Sequence, residues 1–187
     1  MMALTSTVDS SRHGLAHGAL RAALLCGLAL LASSCANRAE QYRLEDAAQR
    51  AEMAKRKAGE TRLATLAEVT PALGCGGSRP RAQIDSAEVL PARALPGTEI
   101  THRFVYSACD GGAQPLRGML VRKLILNRRT VFEEKRPMAL KPGRWAVDVF
   151  IGIPPNAEPG WYGVEITFEH DVVPLYNWQY FQLLPRS

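Results

Sequence analysis

A regular alternation of apolar and other side chains over residues 144–153 constrains the fold of this chain more than any other feature. The side chains at every second position there are large and apolar: Trp145, Val147, Val149, Ile151 and Ile153. Successive side chains of a strand point to opposite faces of a sheet, so this pattern is typical of a β-strand with one buried face. It therefore predicts a sheet that is covered on one side by other structure.

The same period-two pattern recurs from residue 82 onward. It predicts further strands at 100–106, 119–126, 162–168 and 172–184, with a weaker one at 84–89 and a short one at 130–134. Turns rich in Gly and Pro separate these stretches, as in Pro154-Pro155 and Pro159-Gly160. Regularly spaced strands with such turns predict a mainly β fold, an antiparallel sandwich.

The stretch from Pro142-Gly143-Arg144-Trp145 to Pro159-Gly160-Trp161-Tyr162 resembles the late strands of bacterial immunoglobulin-like domains. The resemblance implies an immunoglobulin-like antiparallel β-sandwich, which we assign to residues 82–187. It concerns the fold alone and implies no ligand.

The N-terminus has the features of a targeting segment. A polar stretch with Arg12 and Arg21 precedes the apolar run 22–31 (AALLCGLALL), which is too short to span a bilayer, since spanning takes roughly 20 residues. The run ends in Leu31-Ala32-Ser33-Ser34-Cys35, which resembles the lipobox of bacterial lipoproteins. The resemblance implies a signal peptide over 1–34, lipidation (palmitate) on Cys35 and, because no Asp follows Cys35, an outer-membrane location.

The remaining cysteines predict a disulfide. Cys26 is lost with the signal peptide and Cys35 carries the lipid, which leaves Cys75 and Cys109. In an oxidising compartment such a pair is expected to be bonded.

Residues 35–69 are rich in Ala, Glu, Arg and Lys, which favour helix. Between 37 and 58 only Leu44 and Met53 are sizeable aliphatic residues, so the stretch buries little area. We predict a lipid-anchored helical spacer, an N-terminal stalk; the alternative is a helix that pairs with itself or with a partner. The Gly- and Pro-rich stretch 70–81 is predicted to be a linker.

No catalytic or metal-binding motif is recognisable in the sequence, and we predict no cofactor and no metal. Outside the predicted signal peptide, the histidines are His102 and His170, which do not have metal-ligand spacing. The enzymatic alternative is a thiol mechanism with Cys75 as nucleophile and His102 as base.

Aromatic residues mark a candidate binding face. Tyr176, Trp178 and Tyr180 share one face of the last predicted strand, and Trp161 is expected to lie outside beside Tyr162. These side chains form either the inner wall of the sandwich, which we favour, or a recognition surface, because Tyr and Trp are good interface anchors.

Basic residues cluster between 117 and 136, and candidate contacts to anionic surfaces are Arg122, Lys123, Arg128 and Arg129. These residues contact anionic lipid or cell-wall polymer, or they are charges that protect a sheet edge, the interpretation we favour. The net charge of +5 does not require a nucleic-acid partner, and we predict none.

Together these features predict a non-enzymatic binding or accessory lipoprotein, held in the membrane by the lipid on Cys35. Its folded domain faces the periplasm or the cell surface, and its partner is an envelope protein or assembly. The alternatives are a structural tether to cell-wall polymer or anionic lipid, and the thiol-dependent enzyme.

Overall fold

The computed structural model describes residues 38, 40–77, 79–109 and 115–186, and the chain divides into two units, Met1–Glu45 and Asp46–Ser187. The described part of the first unit is helical, with exposed polar contacts such as Gln41 to Glu45 at 3.1 Å. The predicted signal peptide 1–34 and Cys35 lie outside the described residues.

The second unit contains the sheets. Its described elements, in chain order, are α1 (46–54, the part of its helix that belongs to this unit), β1 (Gly59–Ala64), α2 (Leu66–Leu73), β2 (Arg81–Leu90), β3 (Arg93–Ala94), β4 (Glu99–Cys109), β5 (Leu116–Leu126), β6 (Arg129–Leu140), β7 (Gly143–Gly152), β8 (Gly160–Glu169) and β9 (Leu175–Leu183). No described helix has the length and apolar character needed to cross a membrane.

The described strands form two sheets. The four-stranded sheet has the order β1-β7-β4-β2, and the five-stranded sheet has the order β3-β9-β8-β5-β6. Strand β3 runs parallel to β9, while the other paired strands are antiparallel. The mainly β prediction is therefore confirmed, and the strand expected at 144–153 is β7.

The inner faces of both sheets contribute to two apolar clusters. We call the first the Tyr106 cluster; its members include Phe104, Tyr106, Leu120, Leu140, Ile166 and Phe168. We call the second the Tyr162 cluster; its members include Ile100, Leu124, Leu126, Ile151, Tyr162 and Phe181. Burial of these side chains is the main favourable contribution to folding.

A disulfide joins Cys75 to Cys109, as predicted, with the two Cα atoms 6.1 Å apart. Cys75 follows α2, whose N-terminus is closed by a capping box between Thr65 and Glu68 and whose C-terminus is closed by Gly74 in the left-handed conformation. The disulfide thus attaches the end of α2 to the end of β4, beside the Tyr106 cluster.

The predicted spacer over 35–69 is wrong for residues 59–64, which form β1 at the edge of the four-stranded sheet. Pairing with β7 overrides the helix preference of these residues, because a strand is stabilised by neighbours distant in the chain. The linker predicted at 70–81 is also wrong at its start, since α2 continues through Pro71 to Leu73.

Helix α1 is attached to the β-strands by polar contacts rather than exposed on all sides. Gln49 accepts a hydrogen bond from the backbone N–H of Ala92 at 2.7 Å, and Asp46 pairs with Arg93 at 2.9 Å. The larger unit therefore begins near Asp46 and not at residue 82, where the sequence predicted the start of the domain. The sequence pattern of α1 does not predict this attachment, because hydrogen bonds and ion pairs leave no apolar stripe.

Candidate functional site

The outer face of the five-stranded sheet carries the four predicted aromatic residues, which we call the aromatic face: Trp161, Tyr176, Trp178 and Tyr180. Trp161, Tyr176 and Tyr180 are 64%, 60% and 61% exposed, so the interpretation of these side chains as an inner wall is wrong. The inner side of β9 is formed instead by Leu175, Phe181 and Leu183, with Asn177 and Gln179 between them.

Trp178 lies flat against the neighbouring strand. A Cβ atom at Gly163 would overlap the Trp178 ring, so the glycine allows the indole to approach the backbone of β8. The Tyr180 ring is tilted against Trp178, with 5.7 Å between ring centroids. Packing of this kind holds the aromatic side chains in place before any ligand arrives, which lowers the entropic cost of binding.

Charged residues border the aromatic face. Lys123 of β5 pairs with Glu165 of β8 at 3.2 Å, and Glu165 lies opposite Trp178 in the register of β8 and β9. Partial burial and the nearby Glu165 raise the pKa of Tyr176. The aromatic face thus combines exposed aromatic side chains with an ion pair beside them, an arrangement typical of protein recognition surfaces.

The structure divides the predicted basic cluster. Arg122 is only 1% exposed, so its prediction as a contact to an anionic surface is wrong. Lys123 forms an ion pair with Glu165, while Arg128 and Arg129 are exposed at the turn between β5 and β6. The alternation itself indicated this, because Arg122 shares a face with Leu120 and Leu124, which both lie in the core.

Arg122 belongs to a buried polar layer that we define by His102 of β4, Arg122 of β5 and Glu134 of β6. Arg122 Nε donates a hydrogen bond to His102 Nδ1 at 3.1 Å, and Arg122 Nη1 donates to Glu134 Oε2. Burial, and secondarily the charge of Arg122, lowers the pKa of His102 to about 3, so the imidazole is neutral and can accept this bond.

The polar layer separates the two apolar clusters. On β4 it lies between Ile100 and Phe104, and on β5 it lies between Leu120 and Leu124. His102 Nε2 and Arg122 Nη2 are buried and make no hydrogen bond to another described residue. Such groups are costly to bury, so this layer lowers the stability of the interior relative to an apolar one.

The thiol mechanism is not supported by these positions. Cys75 is bonded to Cys109 and therefore has no free thiol, and His102 is fully buried with Arg122 at its Nδ1 atom. The described residues contain no group of three or more side chains able to hold a metal ion.

A cleft of about 580 Å³ opens between β6 and β7, and we call it the β6–β7 cleft. Its apolar lining comes from β5 to β8 and the turn after β7: Leu124, Leu126, Val131, Phe132, Val149, Phe150, Ile151, Ile153 and Tyr162. Glu134 and Glu158 are its charged residues. Val131 and Phe132 are 51% and 43% exposed, although they occupy a strand that borders the Tyr162 cluster.

A second depression, of about 510 Å³, lies beside α2 and is polar. There Asp85 accepts a hydrogen bond from Ser107 at 2.7 Å and pairs with Arg144 at 3.0 Å. Because these charged groups already satisfy one another, the depression offers little to a ligand.

No protein-family model matches the chain, and no curated protein matches it closely. Solved structures with partial similarity include the β-glucosidase EmGH1 from Erythrobacter marinus (13% identity over 56% of this chain and 16% of that chain, TM-score 0.41). A second is the sporulation control protein Spo0M from Bacillus subtilis (11% identity over 57% of this chain and 49% of that chain, TM-score 0.38). A third is a family 123 glycoside hydrolase from Clostridium perfringens (15% identity over 57% of this chain and 27% of that chain, TM-score 0.41). The chain spans less than half the length of each of these proteins.

Proposed function

We propose that this chain is a non-enzymatic binding module of the bacterial cell envelope that contacts an envelope protein through its aromatic face. A lipid on Cys35 anchors it in the outer membrane after removal of residues 1–34, and the folded unit faces the periplasm or the cell surface. The lipobox-like sequence supports the anchor, and the Cys75–Cys109 disulfide is in keeping with an oxidising compartment.

We also propose that the two sheets form an immunoglobulin-like sandwich. Two features support this assignment: the parallel pairing of β3 with β9 beside otherwise antiparallel strands, and the hydrogen bond that the Tyr162 hydroxyl donates to the Glu158 carbonyl at 2.7 Å. A tyrosine whose hydroxyl bonds back to the preceding corner is a hallmark of such domains. In sandwiches of this kind the outer sheet faces are available for partners.

The exposure of three large aromatic side chains on one sheet face is the observation that carries the proposal. Trp161, Tyr176 and Tyr180 are each more than half exposed, although the interior of the same unit buries other aromatic side chains such as Phe168 and Phe181. Exposed Trp and Tyr side chains bury much area on binding at a low entropic cost, which is why they dominate protein interfaces.

The tether to cell-wall polymer or anionic lipid has weaker support. Of its four basic residues, Arg122 is buried and Lys123 is paired, which leaves Arg128 and Arg129 at one turn. Two exposed arginines supply a small electrostatic attraction that physiological salt screens.

In-cell photo-crosslinking of the C-terminally tagged full-length protein tests the binding proposal. A photoreactive residue at Tyr180 is expected to capture a defined envelope protein, and the Trp161→Ala and Tyr176→Ala changes are expected to abolish the capture. Leu63→Ala is the matched control, because Leu63 is 51% exposed on β1 of the other sheet. Equal capture by the aromatic variants and the control would exclude the aromatic face.

Membrane fractionation tests the anchor separately. Cys35→Ala is expected to remove the lipid and shift the protein to the soluble fraction. Retention of the Cys35→Ala variant in the membrane would refute the lipid anchor without affecting the proposal for the aromatic face.

A further inference from the structure

Strand β7 has a strand neighbour on both sides over only part of its length. On one side β4 pairs with it along the whole strand, from Gly143 to Gly152. On the other side β1 pairs from Arg144 only as far as Asp148, which lies opposite Gly59. Among the described residues, therefore, no strand pairs with residues 149–152 on the β1 side.

The residues that precede β1 do not continue along β7 into this gap. Gly59 adopts a φ of 118°, which favours glycine, and the preceding chain is held by Arg56. Arg56 is buried and pairs with Glu88 at 2.7 Å and with Asp148 at 3.8 Å. Since these ion pairs hold Arg56 over the outer face of the sheet, β1 cannot extend along β7 without breaking them.

The gap borders the β6–β7 cleft, in which Val149, Phe150, Ile151 and Gly152 form one wall. Residues of β6, the end strand of the five-stranded sheet, form part of the opposite wall. The cleft thus lies between two strand edges, and its volume of about 580 Å³ is typical of ligand sites.

We propose that the β6–β7 cleft binds an extended, apolar peptide segment of a partner protein by strand addition. The segment continues the line of β1, forms backbone hydrogen bonds with residues 149–152 and places alternate side chains against Phe132 and Ile151. The available edge of four residues is about 13 Å long, which suits a segment of four or five residues.

The backbone edge distinguishes a peptide from a purely apolar ligand. An unpaired strand edge presents N–H and C=O groups that a peptide satisfies and that a hydrocarbon chain leaves unsatisfied. The charged residues of the lining are two carboxylates, Glu134, which already accepts a hydrogen bond from Arg122, and Glu158. The lining contains no Lys, Arg or His. Charge complementarity at Glu158 therefore favours a segment that carries a basic residue beside its apolar positions.

The test selects decapeptides from a random phage-displayed library on the full-length protein in detergent. Enriched peptides are expected to alternate apolar residues, to include Lys or Arg and to bind the Phe132→Ala variant about tenfold more weakly. Leu63→Ala, in which an exposed side chain outside the cleft is shortened, is expected to bind as well as the wild type. Amide hydrogen exchange is expected to slow at residues 149–152 on binding.

A backbone-methylated version of the best peptide separates strand addition from apolar contact alone. N-methylation at alternate residues keeps every side chain but removes backbone donors, so the affinity is expected to fall by about tenfold or more.

Failure to enrich any peptide, equal binding by Phe132→Ala, or equal affinity of the methylated peptide would overturn the proposal. So would a dimer in analytical ultracentrifugation that Phe132→Ala disrupts, because the occupant would then be a second copy. The aromatic-face experiment is independent of all these outcomes.

Discussion

The Tyr106 cluster and the Tyr162 cluster lie at opposite ends of the interior and share several strands, but the strand edges around them differ. At the Tyr106 cluster, β1 completes the pairing of β7, α2 lies alongside, and the Cys75–Cys109 disulfide joins α2 to β4. At the Tyr162 cluster, β1 has ended and the β6–β7 cleft is open. The pairing of β7 with β1 and the covalent link stabilise the first end, whereas the unpaired edge of β7 makes the second end suitable for a partner.

The polar layer of His102, Arg122 and Glu134 lies between these two ends. It replaces apolar packing with one buried cation, one neutral imidazole and a carboxylate that also lines the cleft. Buried polar groups that are not fully satisfied stabilise less than apolar side chains of similar volume. The layer therefore divides one core into a part that supports the fold and a part that borders the cleft.

The largest expected difference between the two ends is in the loss of stability when one Phe at each end is changed to Ala. Phe168→Ala, at 2% exposure in the Tyr106 cluster, is expected to lower the free energy of unfolding by about 3–5 kcal/mol. Phe132→Ala, at 43% exposure in the cleft, is expected to cost about 1 kcal/mol or less. Urea unfolding of both variants measures the difference; equal losses would refute the comparison.

Removing the disulfide is expected to loosen the Tyr106 end. The double change Cys75→Ala and Cys109→Ala frees a loop with a sequence separation of 34 and is expected to cost about 3–4 kcal/mol. Hydrogen exchange is expected to accelerate in α2 and the end of β4 more than at residues 149–152. Uniform acceleration throughout both sheets would show that the ends are not separate.

Acid is expected to destabilise the protein through the polar layer. Burial lowers the pKa of His102 to about 3, so between the unfolded pKa of about 6.5 and pH 3 the unfolded chain binds a proton that the folded chain does not. The stability contributed by neutral His102 is therefore present above the unfolded pKa and is lost as the pH falls below it.

The His102→Gln variant isolates this effect, because Gln can accept a hydrogen bond but does not titrate. From pH 6 to pH 4 the free energy of unfolding is expected to fall more steeply in the wild type than in the variant. The two slopes are expected to differ by about 1.4 kcal/mol per pH unit. Identical slopes for the two proteins in urea titrations at each pH would show that His102 is not the responsible group.

The smallest expected effect concerns one hydrogen bond at the cleft. Tyr162→Phe removes the donor to the Glu158 carbonyl and is expected to cost about 1 kcal/mol. Tyr180→Phe, which changes an exposed tyrosine, serves as the control and is expected to leave the unfolding midpoint unchanged. A comparable loss of stability in both variants would show that removal of any tyrosine hydroxyl has this effect, and not removal of this hydrogen bond.

Several parts of the fold were predictable because their signal is local. The alternation over 144–153 predicts β7, and the pattern from Tyr162 to Phe168 predicts which face of β8 is buried. The disulfide is predicted in another way, from the two cysteines that remain outside the predicted lipid-anchor segment. Strand β1 was missed because its residues also favour helix, and only the pairing with β7 decides between the two.

The candidate site was less predictable. The sequence placed Tyr176, Trp178 and Tyr180 on one face of a strand, but it did not decide which face is covered. The cluster of basic residues predicts an exposed Arg122, whereas the alternation with Leu120 and Leu124 places its side chain in the interior, where the structure has it. The β6–β7 cleft left no local signal, since its walls come from β5, β6, β7 and β8 together.

What the sequence determined by itself is therefore the period of each strand, the division of its side chains between two faces and the cysteine pair available for bonding. The first two properties follow from backbone geometry and from composition within a few residues, and the third follows from the number of cysteines in the chain. Only the tertiary structure decided that β1 stops opposite Asp148, that Arg122 reaches His102 across the interior and that the aromatic face points outward. Each of these depends on contacts between residues far apart in the chain, whose energies no local pattern contains.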